Sequence, residues 1–197
     1  MKVLIRRGQK DFKCPKCESV IELEHSRFNS NAKGSGFESW VAREISFAMY
    51  GNSETLCRTP LSGGLGSRWP FDLYPPKIGE DNFPFGVECK FRNGWQLEDL
   101  LYRKSSKPSG GKRKADTFIL DWWQNTIADA RKHNKIPILV IKKNREKPLV
   151  VFNPGNFKEV EWEQIGWGNV IIFSDAWVVD FEEFKRVLKR RYEIGIK

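Results

Sequence analysis

Residues 83–91 read FPFGVECKF, and they alternate strictly: Phe83, Phe85, Val87, Cys89 and Phe91 fall on one face, Pro84, Gly86, Glu88 and Lys90 on the other. Period two makes this stretch a strand with one apolar face and one polar face. Two charged side chains, Glu88 and Lys90, therefore share its polar side, while Cys89 points into a core. Downstream, WQLEDLLYRK predicts a short helix, and Ile119, Trp123, Ile127 and Ala130 mark a longer one ending near Asn134. IPILVIKK and PLVVF then read as two strands joined by the turn NREK. Upstream, Phe37, Val41, Ile45 and Ala48 recur at helical spacing from Ser35, with Gly51 as the stop. Between that helix and the strand, LCRTPLSGGLGSRWPFDLY mixes strand formers with Gly and Pro, predicting short strands or irregular turns that end near Asp72. The tail predicts a helix over 156–163, a strand at NVIIF and an amphipathic helix from Phe181 to Tyr192.

Helix, strands, helix, strands and an extension imply an α/β protein, a mixed central sheet flanked by helices. Ahead of it, residues 11–24 read as a hairpin around Cys14-Pro-Lys-Cys17, followed by the polar linker SRFNSNAKGSG. The expected organisation is a hairpin and linker over 1–33, a core over 34–155, and an extension over 156–197 packed on that core.

The 197 residues carry 34 Lys+Arg against 25 Asp+Glu, a net charge of +9. With 40% hydrophobic residues, among them eight Trp and fourteen Phe, the chain has matter for a packed core, which excludes a disordered or fibrous class. No run of about eighteen apolar residues is present, and the start MKVLIRRGQKDFKCPKC lacks an apolar stretch ending in small residues. The expectation is a soluble, cytoplasmic protein without a membrane partner. Four Cys, at 14, 17, 57 and 89, are too few and too uneven for a disulfide framework, which fits a reducing compartment. The positive charge is concentrated. Residues 103–114, RKSSKPSGGKRK, hold Arg103, Lys104, Lys107, Lys112, Arg113 and Lys114 with no acid, and a second basic run lies at Lys185, Arg186, Lys189, Arg190 and Arg191. Phosphate backbones are the natural partner of such patches.

Asp72 lies sixteen residues before Glu88, and a hairpin-like return through YPPKIGEDN can bring the two carboxylates together. They would repel unless a divalent cation held them. Mg²⁺, or Mn²⁺, takes one or two carboxylates plus water and phosphate oxygens. Placed there it can activate water and stabilise charge on a phosphodiester, with the Lys90 ammonium positioning the nucleophile or neutralising the pentavalent intermediate. The triplet [DE]-x-K alone selects nothing. It occurs three times, at Asp11-Phe12-Lys13, Glu88-Cys89-Lys90 and Glu183-Phe184-Lys185, and only the second sits in an alternating strand with an Asp upstream.

A helix with Glu38, then Asp72, then Glu88-Cys89-Lys90, then a helix with Gln124 and the run NKIPILVIKKNREKPLVV together resemble the PD-(D/E)xK nuclease superfamily. Within it, the nearest likeness is to phage and archaeal-type Holliday junction resolvases and related phage endonucleases, over residues 34–152. RTPLSGG before the Asp looks like their Ser/Gly-containing stretch. The resemblance implies Asp72 and Glu88 as metal ligands, Lys90 as the catalytic lysine, and Glu38 as a helix-borne carboxylate supporting the metal; Gln124 joins the catalytic set. One departure is that the superfamily's Pro-Asp pair is Phe71-Asp72 here, with Pro70 one place early. Glu38 has a competing structural role, because Ser35-x-x-Glu38 is a capping-box pattern; Glu44 on the same helix is the fallback. Ser62, Gly63, Gly64 and Ser67 either approach DNA or shape the turn. Trp69 and Trp95 flank the expected site, where stacking on a base competes with a core role.

Cys14-x2-Cys17 is half of a zinc knuckle, to which His25 and Cys57, or a second copy of the chain, would add the missing ligands of a structural Zn²⁺. The expected function is Mg²⁺-dependent cleavage of phosphodiesters in branched DNA. Resolving a junction takes two active sites, which implies a homodimer. A restriction-like or repair nuclease acting on linear DNA or ends, and a non-catalytic, zinc-stabilised nucleic-acid-binding protein, are the alternatives.

Overall fold

The computed structural model describes residues 11–13, 20–22, 30–60, 69–97, 119–157, 170–173 and 175–195. The chain divides into compact units over 1–33 and 34–197. In the first, β1 (Asp11–Lys13) pairs antiparallel with β2 (Val20–Glu22), Phe12 opposite Ile21. Cys14, Cys17 and His25 lie outside the described residues, and nothing described supports zinc there.

The second unit is built on a five-stranded mixed sheet in the order β5 (Phe85–Phe91), β6 (Ile136–Lys142), β7 (Leu149–Phe152), β9 (Ala176–Asp180), β8 (Ile171–Phe173). Only β5 and β6 run parallel, with Val87 opposite Ile138 and Cys89 opposite Val140; the remaining neighbours are antiparallel. A parallel pair needs a crossover, and α2 (Ile119–Lys132) lies in that connection.

Alternation along β6 divides the core. Ile138 and Val140 join a cluster with Phe37, Val41 and Ile45 of α1 (Ser30–Tyr50) and with Phe181, Phe184, Val187 and Leu188 of α3 (Phe181–Gly195). Leu139 and Ile141 join a second cluster with Ile119, Trp122 and Trp123 of α2. Helices therefore cover both faces of the sheet, α1 and α3 one side, α2 the other.

Three features depart from the sequence reading. The helix expected from Ser35 begins at Ser30 and runs through Gly34 and Gly36. Ser35-x-x-Glu38 thus lies inside the helix and not at its start, so the capping-box role of Glu38 falls away. AWVVD, unassigned in the sequence, is β9 and sits between β7 and β8. Residues from 156 onward, expected as an extension packed on the core, contribute two of the five strands and, through α3, part of the main cluster. At the head of the expected helix over 156–163 there is a 3-10 turn, Pro154–Asn156, with 158–169 outside the described residues.

Candidate active site

Among the described strands β5 lies at the edge of the sheet, and its outward backbone groups are where the site begins. The Asp72 amide donates to the Val87 carbonyl at 3.0 Å, and the Cys89 amide donates to Asp72 Oδ2 at 2.8 Å. The carboxylate of Asp72 thus takes the place of a missing neighbouring strand. From the other side, the Thr59 amide donates to the Asp72 carbonyl at 2.8 Å and Thr59 Oγ1 donates to the Phe71 carbonyl at 2.6 Å, next to the short pair β3 (Cys57–Arg58) and β4 (Leu73–Tyr74). The Phe71-Asp72 dipeptide is clamped between two strands. Phe71 lies on Gly86, where a Cβ would overlap its ring, and packs edge-on against Trp69. Glycine at 86 is what allows this close approach, and with it the position of Asp72 against β5.

Glu88 and Lys90 project from the same side of β5 and are ion-paired; their side chains are 25% and 29% exposed. Glu38 reaches the site from α1 and accepts from Arg58 Nε at 2.6 Å. Asp72, only 8% exposed, is held near three charges. Burial raises its pKa to about 7, and the carboxylates of Glu88 and Glu38 push the same way, against the Cys89 amide and the Lys90 ammonium. For Lys90, burial pulls down, but Glu88 and Asp72 outweigh it and hold the ammonium above its usual value. Among the described residues three carboxylates, Glu38, Asp72 and Glu88, stand here with two cations, Arg58 and Lys90. Burial first, then the surrounding carboxylates, raises the Cys89 thiol well above its ordinary value, so it is an inert core group.

The donors at hand are hard carboxylate oxygens beside an opening to solvent, which is a set that fits Mg²⁺ or Mn²⁺. Asp72 and Glu88 are the residues that can hold the ion. Among the described residues no three His, Cys, Asp or Glu side chains converge as a complete cage, so water and substrate oxygens would supply the remaining ligands.

Glu38, Asp72, Glu88 and Lys90 are thus brought together. Glu44, the fallback, is not with them; it pairs with Lys185 of α3 at 2.7 Å. Gln124 sits on an exposed part of α2 and does not line the cleft beside Glu88; that face of the helix carries Trp122, Asn125, Thr126 and Asp129. Trp69 and Trp95 are buried, at 6% and 2% exposure, so neither is free to stack on a base. The indole N–H of Trp69 donates to the Leu73 carbonyl at 2.5 Å, a structural role for the turn that carries Asp72. Ser62, Ser67 and the basic residues Arg103, Lys104, Lys107, Lys112, Arg113 and Lys114 lie outside the described residues.

Two site residues were not singled out in the sequence. Arg58 opens the RTPLSGG stretch, and its charge ahead of that stretch is the signal that points to it. Arg92 extends the polar row Glu88, Lys90 by two residues, and period two reaches it directly.

No helix among the described residues is long and apolar enough to cross a membrane. No curated protein and no solved structure matches the chain. A family model described as "Phage putative PDDEXK endonuclease" matches residues 29–191. That span takes in α1 with Glu38, the clamped Asp72, the Glu88–Lys90 strand and all five strands of the sheet. The chain belongs to this phage PDDEXK endonuclease family.

Proposed function

We propose that the protein is a divalent-metal-dependent endonuclease that hydrolyses DNA phosphodiesters at Asp72, Glu88 and Lys90. The observation that carries the reading is the docking of a buried, charge-frustrated Asp72 on the edge of the strand that presents Glu88 and Lys90. A bound Mg²⁺ or Mn²⁺ supplies water activation and neutralises phosphate charge. The chain supplies the rest. Asp72 is fixed by the Cys89 amide, so its carboxylate needs no reorganisation. Lys90 is kept protonated by its neighbours, and its ammonium stands beside the carboxylates, where charge on a scissile phosphate would develop. Glu38 holds Arg58 by Nε, leaving the two outer amino groups of the guanidinium to meet phosphate oxygens.

The narrower reading is a homodimeric enzyme for branched DNA of the Holliday junction type. It is supported by the ordered likeness of Glu38, RTPLSGG, Asp72 and Glu88-Cys89-Lys90 to junction resolvases, and a two-fold pair of sites suits a four-way substrate. Cleavage of a four-way junction and of a matched linear duplex, with Mg²⁺ or EDTA, tests both levels. Metal-dependent cutting of the junction alone, lost in Glu88→Gln, is the expected result. Equal cutting of both substrates would remove the junction preference, and no metal-dependent cutting of either would overturn the nuclease reading.

A further inference from the structure

Between the polar row of β5 and the facing side of α2 lies a cleft of about 470 Å³, in the size range of ligand pockets. Its cations are not equivalent. Lys90 is paired with Glu88, and Lys132 donates to Asp129 at 2.8 Å. Arg92 has an exposed side chain with no acidic partner among the described residues. Asn125, on the helix wall, is likewise exposed, and none of its amide hydrogen bonds is satisfied by a described residue. A guanidinium and an amide that no described residue engages by side chain thus border one polar cleft that opens directly beside Glu88 and Lys90.

The spacing gives these groups a ligand. Arg92 lies just past the end of β5, where its amide donates to the Lys142 carbonyl at 3.0 Å, and it borders the same cleft as Lys90; two residues of extended backbone give a displacement of roughly 7 Å. That is the scale of one nucleotide step along a nucleic-acid strand. A guanidinium at that offset suits a phosphate, which it can take with two parallel hydrogen bonds. The Asn125 amide, with a donor and an acceptor, suits the polar edge of a base or sugar.

We propose that the cleft between β5 and α2 seats the nucleotide adjoining the scissile phosphate, with Arg92 binding its phosphate and Asn125 its base or sugar edge. The proposal rests on the nuclease reading above. It makes Arg92 and Asn125 substrate-positioning residues distinct from the metal-holding carboxylates.

The test uses the full chain and DNA substrates carrying a single uncharged methylphosphonate, scanned over the phosphates on either side of the cut. Wild type, Arg92→Ala, Asn125→Ala and Glu88→Gln are compared, with binding followed separately in EDTA against salt. Arg92→Ala is expected to bind about tenfold more weakly, to lose about one unit of salt slope, and to keep the melting temperature of wild type. One methylphosphonate next to the cut should slow wild type and leave Arg92→Ala no slower than on the unmodified strand. Asn125→Ala should weaken binding without changing the salt slope. If wild type cuts and Glu88→Gln does not, while Arg92→Ala and Asn125→Ala match wild type in binding, slope and cleavage, the cleft assignment is overturned and the nuclease reading stands. Methylphosphonate effects that add to Arg92→Ala at every position would also overturn it. If wild type cuts no DNA with Mg²⁺ or Mn²⁺, both fall together.

Discussion

The same three-residue pattern stands in two places of the second unit, and the two copies behave differently. On β5, Glu88 and Lys90 are two apart in a strand, share a face and pair with each other over the edge where Asp72 docks. On α3, Glu183 and Lys185 are two apart in a helix, point about 200° away from each other, and find other partners. Glu183 pairs with Arg186 at 2.9 Å, and Lys185 with Glu182 and Glu44, while Phe184 between them is buried in the main cluster. A carboxylate and an ammonium two residues apart share a face and pair with each other only through the backbone that presents them, and on β5 a third group, Asp72, docks alongside. Residue identity at that spacing is not enough.

The sharpest way to break the comparison is to remove the ammonium from each copy. Lys90→Ala is expected to lower the cleavage rate by about a hundredfold to a thousandfold, the usual cost of deleting one group that stabilises transition-state charge. Lys185→Met should leave the rate within about twofold, since Lys185 pairs with Glu44 and Glu182 and does not border the cleft beside Glu88 and Lys90. Single-turnover cleavage of one substrate reads both. Comparable losses in the two variants would mean that β5 holds no special pair.

Next in size is the clamp itself. Gly86→Val places atoms where the Phe71 ring lies, and overpacking of this kind costs about 1–3 kcal/mol. The melting temperature should fall by several degrees, roughly 2–4 °C per kcal/mol for a domain of this size, and cleavage should fall further than stability because Asp72 moves with Phe71. A folded Gly86→Val variant with full activity would show that the clamp does not set the geometry.

A smaller effect concerns pH. Asp72 has a pKa raised from 3.8 to about 7 in the fold, so the folded state holds its proton more tightly than the unfolded chain does. Its contribution to stability is therefore complete below about pH 4 and is lost as pH rises to about 7. In EDTA, the melting temperature of wild type relative to Asp72→Asn should decline across that window and level off above it. Added Mg²⁺ or Mn²⁺ should recover the loss in wild type and not in the variant. A constant difference between the two proteins from pH 4 to 8 would contradict this.

The smallest change is expected in α3. Lys185→Met removes two ion pairs, with Glu44 and Glu182, whose partners are partly in water, and such pairs contribute about 0–1 kcal/mol each. Its melting temperature should shift by no more than a few degrees, less at high salt.

β5 alternates because one face meets the main core and the other meets water, and that contrast is visible residue by residue. β9 is central, and Val178 and Val179 are both buried; a strand covered on both faces loses its alternation. The start of α1 was hidden for another reason. SNAKGSG has low helix propensity, yet once Phe37 anchors the next turn in the core, adding turns costs much less than starting a helix. The meeting of Asp72, Glu88 and Lys90 at one edge of β5 was legible because strand periodicity and chain order locate them. Arg58 was not singled out, since its pairing with Glu38 spans twenty residues that no local pattern connects. Whether Gln124 or Asn125 borders the cleft was not legible, because the cleft-facing row of α2 can be chosen only once the strand it covers is known.

The most direct test of the account is Mn²⁺ binding, followed by the loss of the free-ion signal in electron paramagnetic resonance, for wild type, Asp72→Asn, Glu88→Gln and Glu183→Gln. One site per chain is expected in wild type and in Glu183→Gln, weakened at least tenfold in Asp72→Asn and in Glu88→Gln, about the loss that follows removal of a charged ligand. Equal Mn²⁺ binding by all four proteins would contradict it.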